Sequence, residues 1–141
     1  MPRLSAFVIS ENVQSIPALG GMFAQQVTGP MIALRPQFIP SSLSFGITFG
    51  VSGVNPTQAN KLQTRILSPD GKVLNDTGVI DLPIDPNDDP ELPLEYRGFI
   101  MNMDLRNIAI ETSGCYTIEL YVNGDLIDTR KIPVYKRTAT K

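Results

Sequence analysis

Residues 42–53 read SLSFGITFGVSG, and alternate positions belong to two different kinds of surface. Leu43, Phe45, Ile47, Phe49 and Val51 fall on one side, with Ser44, Gly46, Thr48, Gly50 and Ser52 on the other. A period of two is the signature of a β-strand with one buried face. Burying the first set stabilises by about 1.5–3 kcal/mol per side chain, so that face is core. The second set is costly, because a glycine inside a strand loses about 0.5–1 kcal/mol relative to alanine through chain entropy. Two glycines on one face call for close approach of other backbone. Ser44, Gly46, Thr48 and Gly50 are therefore a candidate interaction face, covered either by the chain's own N-terminal hairpin or 81–94 segment, or by another chain.

The same period recurs along the chain. Twelve prolines and eleven glycines among 141 residues cut the sequence into short pieces and leave no helical apolar pattern of useful length. Strands are expected at residues 3–10, 18–27, 42–51, 61–68, 73–80, 96–103, 114–122 and 126–135. Ser68-Pro69-Asp70-Gly71-Lys72 and Asn123-Gly124 carry the chemistry of hairpin turns. In the final hairpin Tyr116, Ile118, Leu120 and Val122 share a parity that Ile127 and the pair Ile132 and Val134 cannot both match, so one extra residue must be absorbed between Asp128 and Lys131 as a β-bulge. Pro133 places that region at a sheet edge. Tyr116 follows the turn Glu111-Thr112-Ser113-Gly114 near the start of a strand, the position of the structural tyrosine corner in immunoglobulin-like sandwiches. The fold class is all-β: an immunoglobulin-like antiparallel β-sandwich of about 7–9 strands. A single domain is expected over 1–141, with a proline-rich acidic crossover at about 81–95 and a basic tail at 136–141.

Composition narrows the chemistry. Charged residues make up 18 %, below the usual share of about 25 %, and the net charge is −2. Such a surface gathers neither nucleic acid nor anionic membrane. The apolar run before Glu11 and Asn12 is too short for a signal peptide or a spanning helix, so a cytoplasmic protein is expected. The absence of histidine removes the usual general base, the usual zinc ligand and the partner in Ser-His and Cys-His pairs. Cys115 is the single cysteine, which rules out an internal disulfide and fits small filler in a strand. No enzymatic activity, cofactor or metal is expected.

Three segments carry other readings. Asp85-Pro86-Asn87-Asp88-Asp89 opens like a calcium loop, but Pro90 stands where such a loop needs glycine and Tyr96 where it needs a bidentate glutamate. A solvated acidic loop is the simpler account, with a calcium-dependent ligand-binding domain as an alternative built on Asp85, Asp88 and Asp89. The aliphatic and proline alternation from Leu82 to Leu94 reads as an inter-sheet crossover pinned by its aliphatics, or as a docking strip of low ordering cost. Arg130, Lys131, Lys136, Arg137 and Lys141 make a short basic terminus on a slightly acidic body, read as a solvated tail.

Leu19-Gly20-Gly21-Met22-Phe23, Gln37-Phe38-Ile39-Pro40, the Asp70-Gly71-Lys72 turn and Gly114-x-Tyr116 run in order through Asn123-Gly124 to Ile132-Pro133-Val134. That order resembles a family of small, stand-alone prokaryotic proteins without assigned activity, for which an immunoglobulin-like β-sandwich is expected. The resemblance implies no catalytic residues. A bacterial, non-enzymatic module that binds a protein partner or a second copy of itself is the expected function, with a structural or inhibitory protein of a phage or mobile element as the alternative.

Overall fold

The computed structural model describes residues 2–17, 23–82 and 89–138, the side chain of Phe23 excepted. The expectations placed on residues 18–22, on Asp85 and Asp88, and on Lys141 lie outside them. Nine strands are present among the described residues: β1 (Arg3–Pro17), β2 (Phe23–Met31), β3 (Ser41–Ser52), β4 (Asn60–Leu67), β5 (Val73–Asp76), β6 (Ile80–Leu82), β7 (Gly98–Ile110), β8 (Gly114–Val122) and β9 (Asp125–Val134). One sheet runs β2-β1-β3-β7 and the other β5-β4-β8-β9, with β6 also on β4. All of these pairings are antiparallel. Taking β1, β3 and β7 as strands A, B and E, and β4, β8 and β9 as C, F and G, gives the strand order of an immunoglobulin-like sandwich.

The apolar face of β3 spans the whole interior. Phe45 and Ile47 pack with Ile66, Tyr116, Ile118 and Ile132, while Phe49 and Val51 pack with Leu62, Leu120 and Val122. The Tyr116 hydroxyl donates to the Thr112 carbonyl at 2.8 Å, across the turn that carries the chain from β7 to β8. Asn123 and Gly124 both take positive φ, 52° and 87°, and close the β8–β9 hairpin.

The strands depart from the expected bounds and register, in the following cases for a local reason. β1 continues to Pro17 because Ile9–Pro17 pairs with β2 after Arg3–Ser10 has paired with β3. At the junction Gly29 adopts φ 66° opposite Glu11, and the hairpin turns away from the sheet plane. β7 extends to Ile110 because Asn107, at φ 56°, adds one residue and passes the inward parity from Leu105 to Ile108. The expected 73–80 strand divides into β5 and β6 at Thr77-Gly78, where Gly78 has φ 65° and its N–H donates to Asp76. The bulge in β9 lies before Asp128: Tyr121 faces Leu126 and Leu120 faces Asp128, so the extra residue is Ile127, which the bulge turns onto the core.

Beyond the bulge Asp128 and Arg130 share the inward parity and pair at 3.3 Å, and inward charge of this kind discourages pairing at a sheet edge. The far end of β9 is covered instead, since Leu34 donates to the Pro133 carbonyl at 2.8 Å and accepts from Tyr135 at 3.1 Å. Cys115 is exposed rather than filler, because its parity is opposite to that of buried Tyr116. A hydrogen bond to Cys115 raises the Tyr135 phenol above its ordinary pKa.

A β-carbon at Gly98 would lie 1.7 Å from the Val51 carbonyl oxygen, whereas one at Gly50 would meet its nearest neighbour, Ile100, at 3.5 Å. Gly98→Ala is thus expected to cost more than about 2 kcal/mol in urea unfolding, with Gly50→Ala staying within about 1 kcal/mol of the parent. Two exposed carboxylates set an acid limit on stability. Asp76 is held below the usual carboxylate range by Gln63 Nε2 and the Gly78 N–H, and by the charge of Arg65, while Asp70 is held down by the Ser68 hydroxyl and the Lys72 N–H. Depressed folded values give stability that is complete above the unfolded pKa of about 3.9 and is lost as pH falls through the lower folded values. The melting temperature should therefore drop as pH falls below about 4, and Asp76→Asn should make that drop shallower.

Candidate functional site

Three rows of residues cross the outer face of the β1-β3-β7 sheet. They are Ala6, Gly50 and Ile100; Val8, Thr48 and Asn102; and Ser10, Gly46 and Asp104. The hairpin of β1 and β2 covers this face unevenly. Val13 is buried yet belongs to neither core cluster, because it sits directly on Gly46: a β-carbon there would be 2.6 Å from Val13 Cγ1. In the middle row the Thr48 hydroxyl donates to Asn102 Oδ1 at 2.6 Å, and Asn102 Nδ2 donates to the Gln14 carbonyl at 3.0 Å. These bonds tie the hairpin to the sheet.

In the remaining row Ala6 and Ile100 are exposed, with Gly50 buried between them. This row floors a cleft of about 1180 Å³ between the hairpin, which contributes Ser15, Ala24 and Gln25, and the crossover into β7, which contributes Asp89, Leu92 and Tyr96. The crossover wall is Pro93 followed by a single 3₁₀ turn, Leu94–Tyr96, with no buried side chain. Ile100 on the floor is 61 % exposed, and Tyr96 and Leu92 on the wall 56 % and 44 %. Leu82 packs on the core, but Leu92 and Leu94 do not pin the crossover as the sequence suggests.

The four candidate face residues thus part company. Thr48 and Gly50 line the cleft, Gly46 lies beneath the hairpin, and Ser44 is exposed elsewhere, its hydroxyl accepting the Asn107 N–H at 3.1 Å and holding the β7 bulge. Sequence reasoning misses Arg3, Tyr96 and Ile100. The signal for Ile100 is present, since Phe99-Ile100-Met101 puts an apolar residue on the solvent parity of its strand. The meeting of Arg3 with Tyr96 joins the two ends of a crossing that no local pattern encodes.

Arg3 is fixed at the end of the cleft. Its Nε donates to Ser52 Oγ at 3.1 Å, the Ser5 and Ser52 hydroxyls are 2.5 Å apart, and its guanidinium carbon is 5.8 Å from the centroid of the Tyr96 ring. That spacing allows a cation–π contact. Asp89 accepts the Glu91 N–H at 3.1 Å. The described lining combines serine, threonine and glutamine side chains with the apolar Leu92, Tyr96 and Ile100. Among the described residues no group of three or more His, Cys, Asp or Glu gathers as metal ligands. No helix among the described residues is long and apolar enough to cross a membrane.

No family model matches the chain, and no curated protein matches it in sequence. Among solved structures it is similar to an immunoglobulin-like protein from Pseudomonas aeruginosa, at 14 % identity and a TM-score of 0.43 over 96 % of this chain and 97 % of that one. It is also similar to an alkylpurine DNA glycosylase from Pseudomonas fluorescens, bound to DNA containing an abasic site analog, at 11 % identity and a TM-score of 0.37. That match covers 91 % of this chain but only 30 % of the glycosylase.

The contact between Val13 and Gly46 makes the hairpin's docking measurable. Gly46→Ala should destabilise by about 1–3 kcal/mol, and adding Val13→Ala should recover part of that loss, giving a coupling of at least about 0.5 kcal/mol in a double-mutant cycle. Simple additivity of the two substitutions would mean that Val13 does not rest on Gly46 in solution.

Proposed function

We propose that this chain is a non-enzymatic binding module that takes an extended segment of a protein partner into the cleft between its hairpin and the crossover into β7. The observation that carries this reading is Ile100, an aliphatic side chain 61 % exposed on the floor of the cleft. Gly50 and Ala6 beside it keep the floor low, leaving depth for an incoming side chain against Leu92 and Tyr96. An aliphatic residue buried there contributes up to about 1.5–3 kcal/mol, and a few such anchors dominate protein recognition. Pro93 stiffens the wall, which lowers the ordering cost of association. The serine, threonine and glutamine groups along the cleft supply partners for the main chain of a bound segment.

Selection from a random-peptide display library provides a direct test. Enriched peptides should carry an aliphatic or aromatic residue and should lose at least about tenfold in affinity for Gly50→Trp and Ile100→Asp variants whose circular dichroism and melting temperature match the parent. Peptides that bind both variants as well as the parent would show that recognition occurs elsewhere on the protein.

A further inference from the structure

The cleft is apolar along its floor and wall but carries a cation at one end, and that cation is held in a particular way. Arg3 engages protein through Nε, which donates to Ser52, and through one face of the guanidinium, which lies near Tyr96. Among the described residues its two Nη groups have no hydrogen-bond or ion-pair partner. A guanidinium secured through Nε and one face presents its Nη edge as a planar fork, the geometry that a carboxylate meets with two parallel hydrogen bonds. Ser52 is in turn backed by Ser5, so the fork is positioned before any ligand arrives. Among the described residues lining the cleft the one carboxylate is Asp89, and it accepts a hydrogen bond from its own loop.

From this geometry we infer that the segment bound in the cleft carries a carboxylate side chain, which Arg3 receives while a neighbouring apolar side chain lies over Gly50 against Ile100. The inference rests on the reading of the cleft as a peptide site and adds the chemistry of the occupant. Arg3 acts as a specificity determinant, and Tyr96 and Ser52 are its positioning residues.

Two capped pentapeptides test it, Ala-Ile-Phe-Glu-Ala and the same sequence with Gln in place of Glu, titrated against the ¹⁵N-labelled protein. The amide resonances of Gly50 and Ile100 report the cleft. The Glu peptide should bind about fivefold more tightly than the Gln peptide, and the advantage should shrink as salt rises. Arg3→Gln should abolish the difference, and Arg3→Lys, which keeps the charge but loses the fork and the ring contact, should retain only part of it. Tyr96→Leu preserves an apolar wall and should weaken the Glu preference without weakening the Gln peptide to the same degree. Equal binding of both peptides at the cleft overturns the carboxylate inference while leaving the peptide site standing. Shifts that avoid Gly50 and Ile100 with both peptides overturn the site as well.

Discussion

Everything in this molecule hangs from the side of β3 that carries Phe45, Ile47, Phe49 and Val51. Those four residues are almost completely removed from water and reach both core clusters, so a single strand closes the interior from end to end. With β1 and β7 bonded on its two flanks, β3 cannot shift by one residue without sending every one of these side chains to solvent. That register also fixes the opposite face. Gly46 and Gly50 are placed by the same alternation that places Phe45 and Phe49, and what can happen above them follows from where the core requires the strand to lie.

Above that strand two elements meet that are far apart in sequence. The β1–β2 hairpin leaves the sheet at Ser10, folds over Gly46 through Val13 and is fastened through Asn102. The crossover from the second sheet enters β7 at Gly98, where only the absence of a side chain lets the backbone pass the Val51 carbonyl. One covers Ser10 and Gly46 in the third row of the sheet face and the other stops short of the first. The cleft is the space that this mismatch leaves, with exposed Ile100 on its floor and Leu92 and Tyr96 on its wall because neither element extends far enough to cover them.

A fully covered glycine face would have been a purely structural device, and a fully open one would have been flat. Partial cover produces depth, and the anchoring of Arg3 between Ser52 and Tyr96 adds direction to it. Under the proposed reading stability and recognition would share residues, since the bonds that hold the hairpin in place also shape a wall of the cleft.

Period-two alternation and turn chemistry made the sandwich and its central strand legible, because each depends on side chains close together in the chain. The glycine face was legible as a question for the same reason. The continuation of β1 to Pro17, the Asn107 bulge and the place of the β9 bulge at Ile127 were not, since register shifts are settled by which strand lies alongside. The cover of Val13 on Gly46 and the pairing of Arg3 with Tyr96 join residues far apart in the chain. No local pattern encodes such meetings: alternation sets which way a side chain points, and only the packing of distant segments sets what it finds there.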